Sequence, residues 1–182
     1  MSVLIEAHSV VVRIKTVAEK YPGGVEQYIK DCPNKTLCMD KDIICICFMN
    51  GNDGKNFIIS LEKLGFRCVT DGEFDEIAVV DQFEGCTLPC DWLEFSNSVT
   101  GEERPMRISA CKLKGAPVEF VSYPDSWDYE KSVSKHTWLI DLVDGNTCAT
   151  FIKRDGNVEI YRDNLTGEEV YCYRTVNRNL NS

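Results

Sequence analysis

Residues 148–174 read CATFIKRDGNVEIYRDNLTGEEVYCYR. Three runs rich in β-branched and aromatic residues alternate here with turn residues, a pattern typical of short antiparallel strands. Asp155-Gly156 is a dipeptide that tight two-residue hairpin turns prefer, and Asn164-Leu165-Thr166-Gly167 forms a longer loop. The stretch therefore predicts a C-terminal β-meander with strands near 148–153, 158–162 and 168–174.

Upstream of the meander, the chain from Phe66 onward shows strand patterns and no helical periodicity. These further strands are predicted near 66–70, 76–81, 91–95, 107–113, 117–121 and 137–143.

The N-terminal third has a different pattern, with two or three short helices. Thr16-Val17-Ala18-Glu19 has the spacing of a capping box, so we expect a helix to begin there. Tyr21-Pro22-Gly23-Gly24 ends it, and a second short helix stops at Pro33. A third helix is predicted over 53–64, where an apolar stripe is followed by Gly65. Strands are expected at 3–14, 36–39 and 43–49.

Helices early and strands late predict an α+β protein with a largely antiparallel sheet, rather than alternating βαβ units. We expect a single domain over 1–176, a length that is ordinary for one domain. A subdivision near 96–105 stays open, because Ser96–Pro105 is a polar stretch that could link two parts. Residues 177–182 are predicted to form a polar tail.

The net negative charge of the chain is confined to one segment. The chain carries 20 basic and 29 acidic side chains, a net charge of −9, but it has no lysine or arginine between Arg67 and Arg104. Without the ten carboxylates of this segment, the remaining 20 basic and 19 acidic side chains give a net charge of +1. The ten are Asp71, Glu73, Asp75, Glu76, Asp81, Glu84, Asp91, Glu94, Glu102 and Glu103.

These charges alternate with apolar side chains, so the segment is expected to fold and to display its carboxylates on one side. In Asp91–Phe95, strand alternation places Trp92 and Glu94 on one face. A carboxylate beside a tryptophan on a part-exposed face is suited to a basic partner, with the ring as an anchor. The alternative is an acidic surface that only gives solubility. The predicted partner-binding residues are Asp75, Asp81, Glu84, Asp91, Trp92, Glu94 and Trp127.

The same charge argues against nucleic acid and anionic lipid as partners, since an acidic field repels both. No apolar run approaches the ~18 residues of a membrane span. No basic region precedes the apolar residues of Met1–Val12, as it does in a signal peptide. We therefore expect a cytoplasmic protein without a membrane or nucleic-acid partner, and the oligomeric state stays open.

No cofactor is predicted. Asp71, Glu73 and Asp75 match the start of a calcium-binding loop, but Glu76 and Gln82 stand where the loop needs its glycine and its bidentate acid. A weak divalent-metal site that uses Asp75 or Asp81 stays open.

The ten cysteines are expected to stay reduced, because a cytoplasmic compartment keeps thiols reduced. Cys86 and Cys90 lie in a Gly/Pro loop, and a nucleophile there could use His136 as its base. The carboxylates around the loop should raise the thiol pKa, which argues against this chemistry.

The segment Tyr123–Tyr129 holds three large aromatic side chains with a proline between them, which indicates a loop. Such a loop packs over a sheet edge or lines a ligand pocket.

Two functions from different classes follow. The first is a non-catalytic acidic binding protein, similar in kind to an inhibitor, immunity protein or antitoxin, that engages a basic protein partner. The alternative is a small-molecule-binding protein or small enzyme with a pocket near Tyr123–Tyr129 and His136. The sequence leans towards a protein without catalytic activity.

Overall fold

The computed structural model describes residues 1–100, 106–117, 120–136, 149–155, 158–163, 167 and 169–173. They belong to two compact units. The first consists of Met1–Val99 and Arg107–Asp128, and the second of Thr100–Met106 and Tyr129–Ser182. Within these residues the protein is α+β with mostly antiparallel sheets, and the predicted fold class is confirmed.

The strands, in chain order, are β1 (Ser2–Ile5), β2 (His8–Arg13), β3 (Cys38–Met39), β4 (Ile43–Phe48), β5 (Val69–Thr70), β6 (Glu73–Phe74), β7 (Ile77–Asp81), β8 (Gly85–Cys86), β9 (Leu93–Thr100), β10 (Met106–Leu113), β11 (Val121–Ser122), β12 (Ala149–Asp155), β13 (Val158–Asp163) and β14 (Glu169–Tyr173). The α-helices are α1 (Ile14–Lys20), α2 (Gly24–Lys30), α3 (Gly51–Glu62) and α4 (Val133–His136), and a 3-10 helix spans Tyr129–Lys131.

A five-stranded sheet forms much of the first unit, in the order β3-β4-β2-β7-β8. Its central strand β2 pairs antiparallel with β4 on one side and with β7 on the other. The residues of β4 are all buried, as are Val10, Val11 and Val12 of β2. Such continuous apolar strands are typical of a sheet that is covered on both faces.

A four-stranded sheet in the same unit has the order β11-β1-β10-β9. The predicted single strand over 3–14 is wrong, because the chain turns at Ala7, where φ is +47°. The turn sends β1 into this sheet and β2 into the other. Two buried thiols connect the sheets: Cys45 Sγ lies 3.4 Å and Cys38 Sγ 3.7 Å from the carbonyl oxygen of Leu4.

Helix α1 begins earlier than predicted. The capping box at Thr16 is wrong, since Thr16 lies buried inside the helix and Arg13 occupies the N-cap without a side-chain cap. The earlier start is stabilised by a tertiary contact. The Ile14 N–H, which has no acceptor within the helix, donates to the carbonyl of Asp42 at 2.9 Å. Helix α3 is capped by the Asn50 side chain, which accepts from the Asn52 N–H at 2.9 Å. As predicted, Gly65 (φ +88°) follows its end.

In the second unit, β12, β13 and β14 form an antiparallel three-stranded sheet in chain order, so the predicted meander is confirmed. The prediction of strands alone after Phe66 is wrong, because α4 and the 3-10 helix lie there. The strand predicted at 137–143 and the tail at 177–182 lie outside the described residues.

The predicted linker is in part a strand, since β9 continues through Thr100. Residues 101–105 lie outside the described part of the chain, and the number of domains stays a prediction. None of the helices that the structure describes is long and apolar enough to cross a membrane.

Candidate functional site

The acidic segment divides into carboxylates that have basic partners in the fold and carboxylates that face solvent. Glu76 is the centre of the first group. It is 8% exposed, and its Oε2 lies 2.7 Å from Lys20 Nζ and accepts from the Arg67 N–H at 2.8 Å. Its Oε1 lies 3.5 Å from Arg67 Nη2. We call Lys20, Arg67, Asp75 and Glu76 the Glu76 cluster.

Asp75 belongs to this cluster. Its Oδ2 lies 2.8 Å from Arg67 Nε and accepts from the Thr70 hydroxyl at 3.0 Å. Desolvation by burial acts to raise the pKa of Asp75, but the hydrogen bonds from Thr70 and Arg67 and the charge of Arg67 outweigh it and lower that pKa. The charge of Asp75 is thus already matched inside the fold.

Glu94 is also paired. Its Oε2 lies 2.6 Å from Lys112 Nζ, and its Oε1 accepts from the Gly115 N–H at 3.2 Å. The hydrogen bond from Lys112, followed by that from Gly115, lowers the pKa of Glu94. Basic residues from outside the acidic segment therefore meet its carboxylates in three dimensions, although the sequence separates the two signs.

Asp81 shapes a turn. Its Oδ1 accepts from the backbone N–H groups of Phe83 at 2.8 Å and Glu84 at 3.2 Å, as side chains do in Asx turns. Its Oδ2 lies 3.5 Å from His8 Nδ1 on the neighbouring strand. Glu84 is exposed on the same turn.

The solvent-facing carboxylates include Asp71 and Glu73 on the β5–β6 hairpin and Asp91 on the loop before β9. The hairpin and the loop are neighbours, since the Phe74 N–H donates to the Pro89 carbonyl at 2.9 Å. No basic side chain in the described part of the chain pairs with any of the three carboxylates.

Two apolar side chains are exposed on these same elements. Val69 on the hairpin is 48% exposed and Leu88 on the loop is 39% exposed. Exposed apolar side chains beside unpaired carboxylates are what an interface core with a charged rim requires. The hairpin–loop surface consists of Val69, Asp71, Glu73, Leu88 and Asp91.

Trp92 does not lie on a part-exposed face, and that expectation is wrong. The side chain is only 5% exposed. Its indole N–H donates to the Phe74 carbonyl at 3.2 Å, and the Arg13 guanidinium carbon lies 4.5 Å from the ring centroid. A ring covered by a cation in this way stabilises the fold and is not available as a surface anchor.

Trp127 is half-buried in the first unit. Its ring centroid lies 5.1 Å from that of Tyr123, which is 54% exposed. The backbone N–H of Trp127 donates to the Pro124 carbonyl at 2.9 Å and closes a turn, so the predicted loop is present. Tyr129 and His136 belong to the second unit, and the side chain of His136 is outside the described residues. A pocket formed with His136 stays a prediction.

A small cleft lies at the N-terminal end of α3, and sequence reasoning missed it. Its volume is about 220 Å³, and its lining is mostly apolar. His8 and Lys55 both line the cleft, and His8 Nδ1 lies 3.5 Å from Asp81 Oδ2. The lining residues are His8, Val10, Gly51, Gly54, Lys55, Ile58 and Val79. The register that opposes His8 to Asp81 could not be deduced from the two separate strands.

Cys86 at the end of β8 and Cys90 in the loop that follows are free thiols, and each is half-buried. A hydrogen bond from the Cys86 thiol is the largest cause that lowers the pKa of Cys90 to about 7, with support from the N–H groups of Trp92 and Leu93 against the opposing effect of burial. The same hydrogen bond and burial raise the pKa of Cys86. The charge of Asp91 acts to raise the pKa of Cys90, as expected, but the hydrogen bonds outweigh it.

Among the residues that the structure describes, no group of three or more His, Cys, Asp and Glu side chains is arranged to hold a metal ion. No protein-family model matches the chain, and no curated protein or solved structure matches it either.

Proposed function

We propose that the protein is a non-catalytic acidic binding protein that engages a basic protein partner through the hairpin–loop surface. The observation that carries the proposal is the combination on adjacent elements of three carboxylates with two exposed apolar side chains. Asp71, Glu73 and Asp91 supply the charge that attracts a basic surface, and Val69 and Leu88 supply apolar contact. Inhibitors, immunity proteins and antitoxins work in this way.

The same proposal places the protein in the cytoplasm, where a reducing environment keeps its thiols free. In the proposed binding function, the solvent-facing carboxylates raise the rate at which the partner is encountered. Asp75 and Glu94 contribute less, since Arg67 and Lys112 already neutralise them.

The first experiment identifies the partner. The full chain, immobilised at low ionic strength, captures proteins from the cells that express it, and mass spectrometry identifies them. We expect a basic protein that elutes as salt rises, because the Debye length falls from ~30 Å at 0.01 M to ~8 Å at 0.15 M ionic strength.

The second experiment measures association with that partner by stopped-flow mixing. The test variant is Asp71→Asn/Glu73→Gln/Asp91→Asn, and Asn suits the positive φ of +52° at Asp71. The matched control is Glu26→Gln/Asp53→Asn/Glu62→Gln, which removes the same charge from exposed positions on α2 and α3. We expect the test variant alone to associate more slowly at low salt.

Equal slowing in both variants would show that net charge acts without a defined surface. An association rate that neither variant nor salt changes would reduce the acidic segment to a solubility feature, and the proposal would lose its support.

The second candidate is a small-molecule-binding protein or small enzyme, and the His8 cleft favours it. Asp81 lies next to Nδ1 of His8, so Nε2 is the ring atom that could exchange a proton with a ligand as general acid or base. Nε2 lies 4.0 Å from the position that a Cβ on Gly51 would take. The chain has two histidines, so proton NMR of their ring signals with a fragment library locates a ligand. Shifts at His8 support the cleft, whereas shifts at His136 alone place the ligand elsewhere.

A further inference from the structure

The His8 cleft lies between one face of α3 and the five-stranded sheet. The helix contributes Gly51, Gly54, Lys55 and Ile58 to its lining. These residues share one face of the helix, because their spacing follows the helical period. Two of the four are glycines, so no side chain fills this part of the space between the helix and the sheet.

The sheet supplies an apolar floor with a histidine at one end. Val10 on β2 pairs with Val79 on β7, and His8 lies on the same face of β2 as Val10. The Cδ2 and Nε2 atoms of the imidazole lie 3.8 Å and 4.0 Å from the position that a Cβ on Gly51 would take. The edge of the ring that carries Nε2 therefore borders the cleft beside the helix.

The polar groups of the cleft favour an anion. Among the described residues that line it, His8 and Lys55 can carry a positive charge and none is acidic. Lys55 is exposed and has no acidic partner in the described part of the chain. Asp53, the acidic residue of the first helical turn, is exposed and does not belong to the lining. A negatively charged group in the cleft would thus meet an unpaired ammonium group.

We propose that the cleft binds a small aliphatic monocarboxylate. The Lys55 ammonium group pairs with the carboxylate, and Val10, Ile58 and Val79 contact the hydrocarbon tail. This inference rests on the second candidate function above, for which it names the class of ligand, and it is independent of the hairpin–loop surface.

The size and the walls of the cleft select this class. One water molecule takes about 30 Å³ of liquid, so a cleft of about 220 Å³ holds a ligand of roughly seven non-hydrogen atoms. Isovalerate, a branched short-chain acid, has this size. An amino acid would bring an ammonium group to a lining in which no described residue is acidic. Inorganic phosphate would leave the apolar walls without a contact.

Proton NMR of the histidine rings in the full chain measures the binding. The chain has two histidines, and the variant His136→Gln assigns the signals of His8. Isovalerate is added as a sodium salt at matched pH, and sodium chloride at the same concentration is the control for ionic strength. We expect a saturable shift of the His8 signals alone, with a Kd on the order of 1 mM, as suits so small a ligand.

Three related compounds separate the charge from the tail. Isoamyl alcohol has the same tail without a charge, and isoamylamine has the opposite charge. Both should bind about fivefold more weakly than isovalerate, since an ion pair with an exposed lysine contributes modestly. Acetate keeps the carboxylate and loses the tail, so it should bind roughly tenfold or more weakly.

Variants assign the carboxylate to Lys55. Lys55→Met keeps the length of the side chain and should weaken isovalerate about fivefold, while the binding of isoamyl alcohol stays unchanged. The matched control is Lys63→Met, which removes an exposed lysine outside the lining and should change neither. Gly51→Val fills the space beside His8 and should abolish the binding of both compounds. Circular dichroism confirms that each variant is folded.

Two results overturn the ligand class and leave the second candidate function standing. One is a His8 shift with fragments of other chemistry but not with isovalerate. The other is equal weakening of isovalerate by Lys55→Met and Lys63→Met, which would show that net charge acts without a defined site. If neither isovalerate nor any fragment shifts the His8 signals, the inference and the second candidate function fail together.

Discussion

The Glu76 cluster and the hairpin–loop surface come from one acidic segment but make different use of their carboxylates. Glu76 is buried and has Lys20 and Arg67 as partners, whereas Glu73, three residues earlier, is exposed on the hairpin. Local charge density is the same for both. The difference shows that an acidic stretch of sequence gives only the number of carboxylates. The basic residues that the fold brings near them determine which carboxylates stay unpaired and can bind a partner.

The largest effect is expected at Trp92, whose indole N–H donates to the carbonyl of Phe74 on the hairpin. Trp92→Ala should lower the free energy of unfolding by about 3–5 kcal/mol, because it removes a buried aromatic side chain. Urea unfolding followed by circular dichroism measures it. Trp92→Phe is the control: it keeps most of the packing and loses the indole hydrogen bond, at a cost of about 1 kcal/mol. A change within 0.5 kcal/mol for Trp92→Ala would restore the tryptophan as a surface anchor.

Glu76→Ala and Glu73→Ala test whether the Glu76 cluster and the hairpin–loop surface differ in their contribution to stability. Glu76→Ala removes a buried acceptor and should cost about 2 kcal/mol. The cost stays moderate because Lys20 keeps the Gly65 carbonyl and Arg67 keeps Asp75 as partners. Glu73→Ala should change the free energy of unfolding by less than about 0.5 kcal/mol, as exposed substitutions do. Both are read from urea unfolding at pH 7. Equal costs at the two positions would remove the distinction between the cluster and the surface.

The smallest effect concerns pH. The pKa values of Asp75 and Glu94 are lowered in the fold from their ordinary values of 3.8 and 4.5. A lowered pKa means that the charged form stabilises the fold above the ordinary value, and that this stability is lost as pH falls through the folded-state pKa. Stability should thus decline below about pH 4.5. Asp75→Asn should weaken this decline, and Thr70→Val, which removes one hydrogen bond, should weaken it less. An unchanged acid transition in Asp75→Asn would contradict the assignment.

Features that depend on neighbouring residues were predictable, and features that depend on distant ones were not. The dipeptide Asp155-Gly156 predicted a hairpin from neighbouring residues alone, and β12 and β13 pair as that prediction requires. Strand alternation predicted a part-exposed face for Trp92, because nothing near it in the chain shows that Arg13 covers the ring.

Strand β1 has a consequence for the time course of synthesis. Both of its neighbours come from far along the chain, since Val3 pairs with Cys111 on β10 and with Ser122 on β11. A ribosome that adds about 5–20 residues per second needs roughly 5–20 s to make the intervening chain. During that interval the apolar residues of β1, which are buried in the finished protein, have no partner strand. The newly made chain should therefore depend on chaperones more than its modest length suggests.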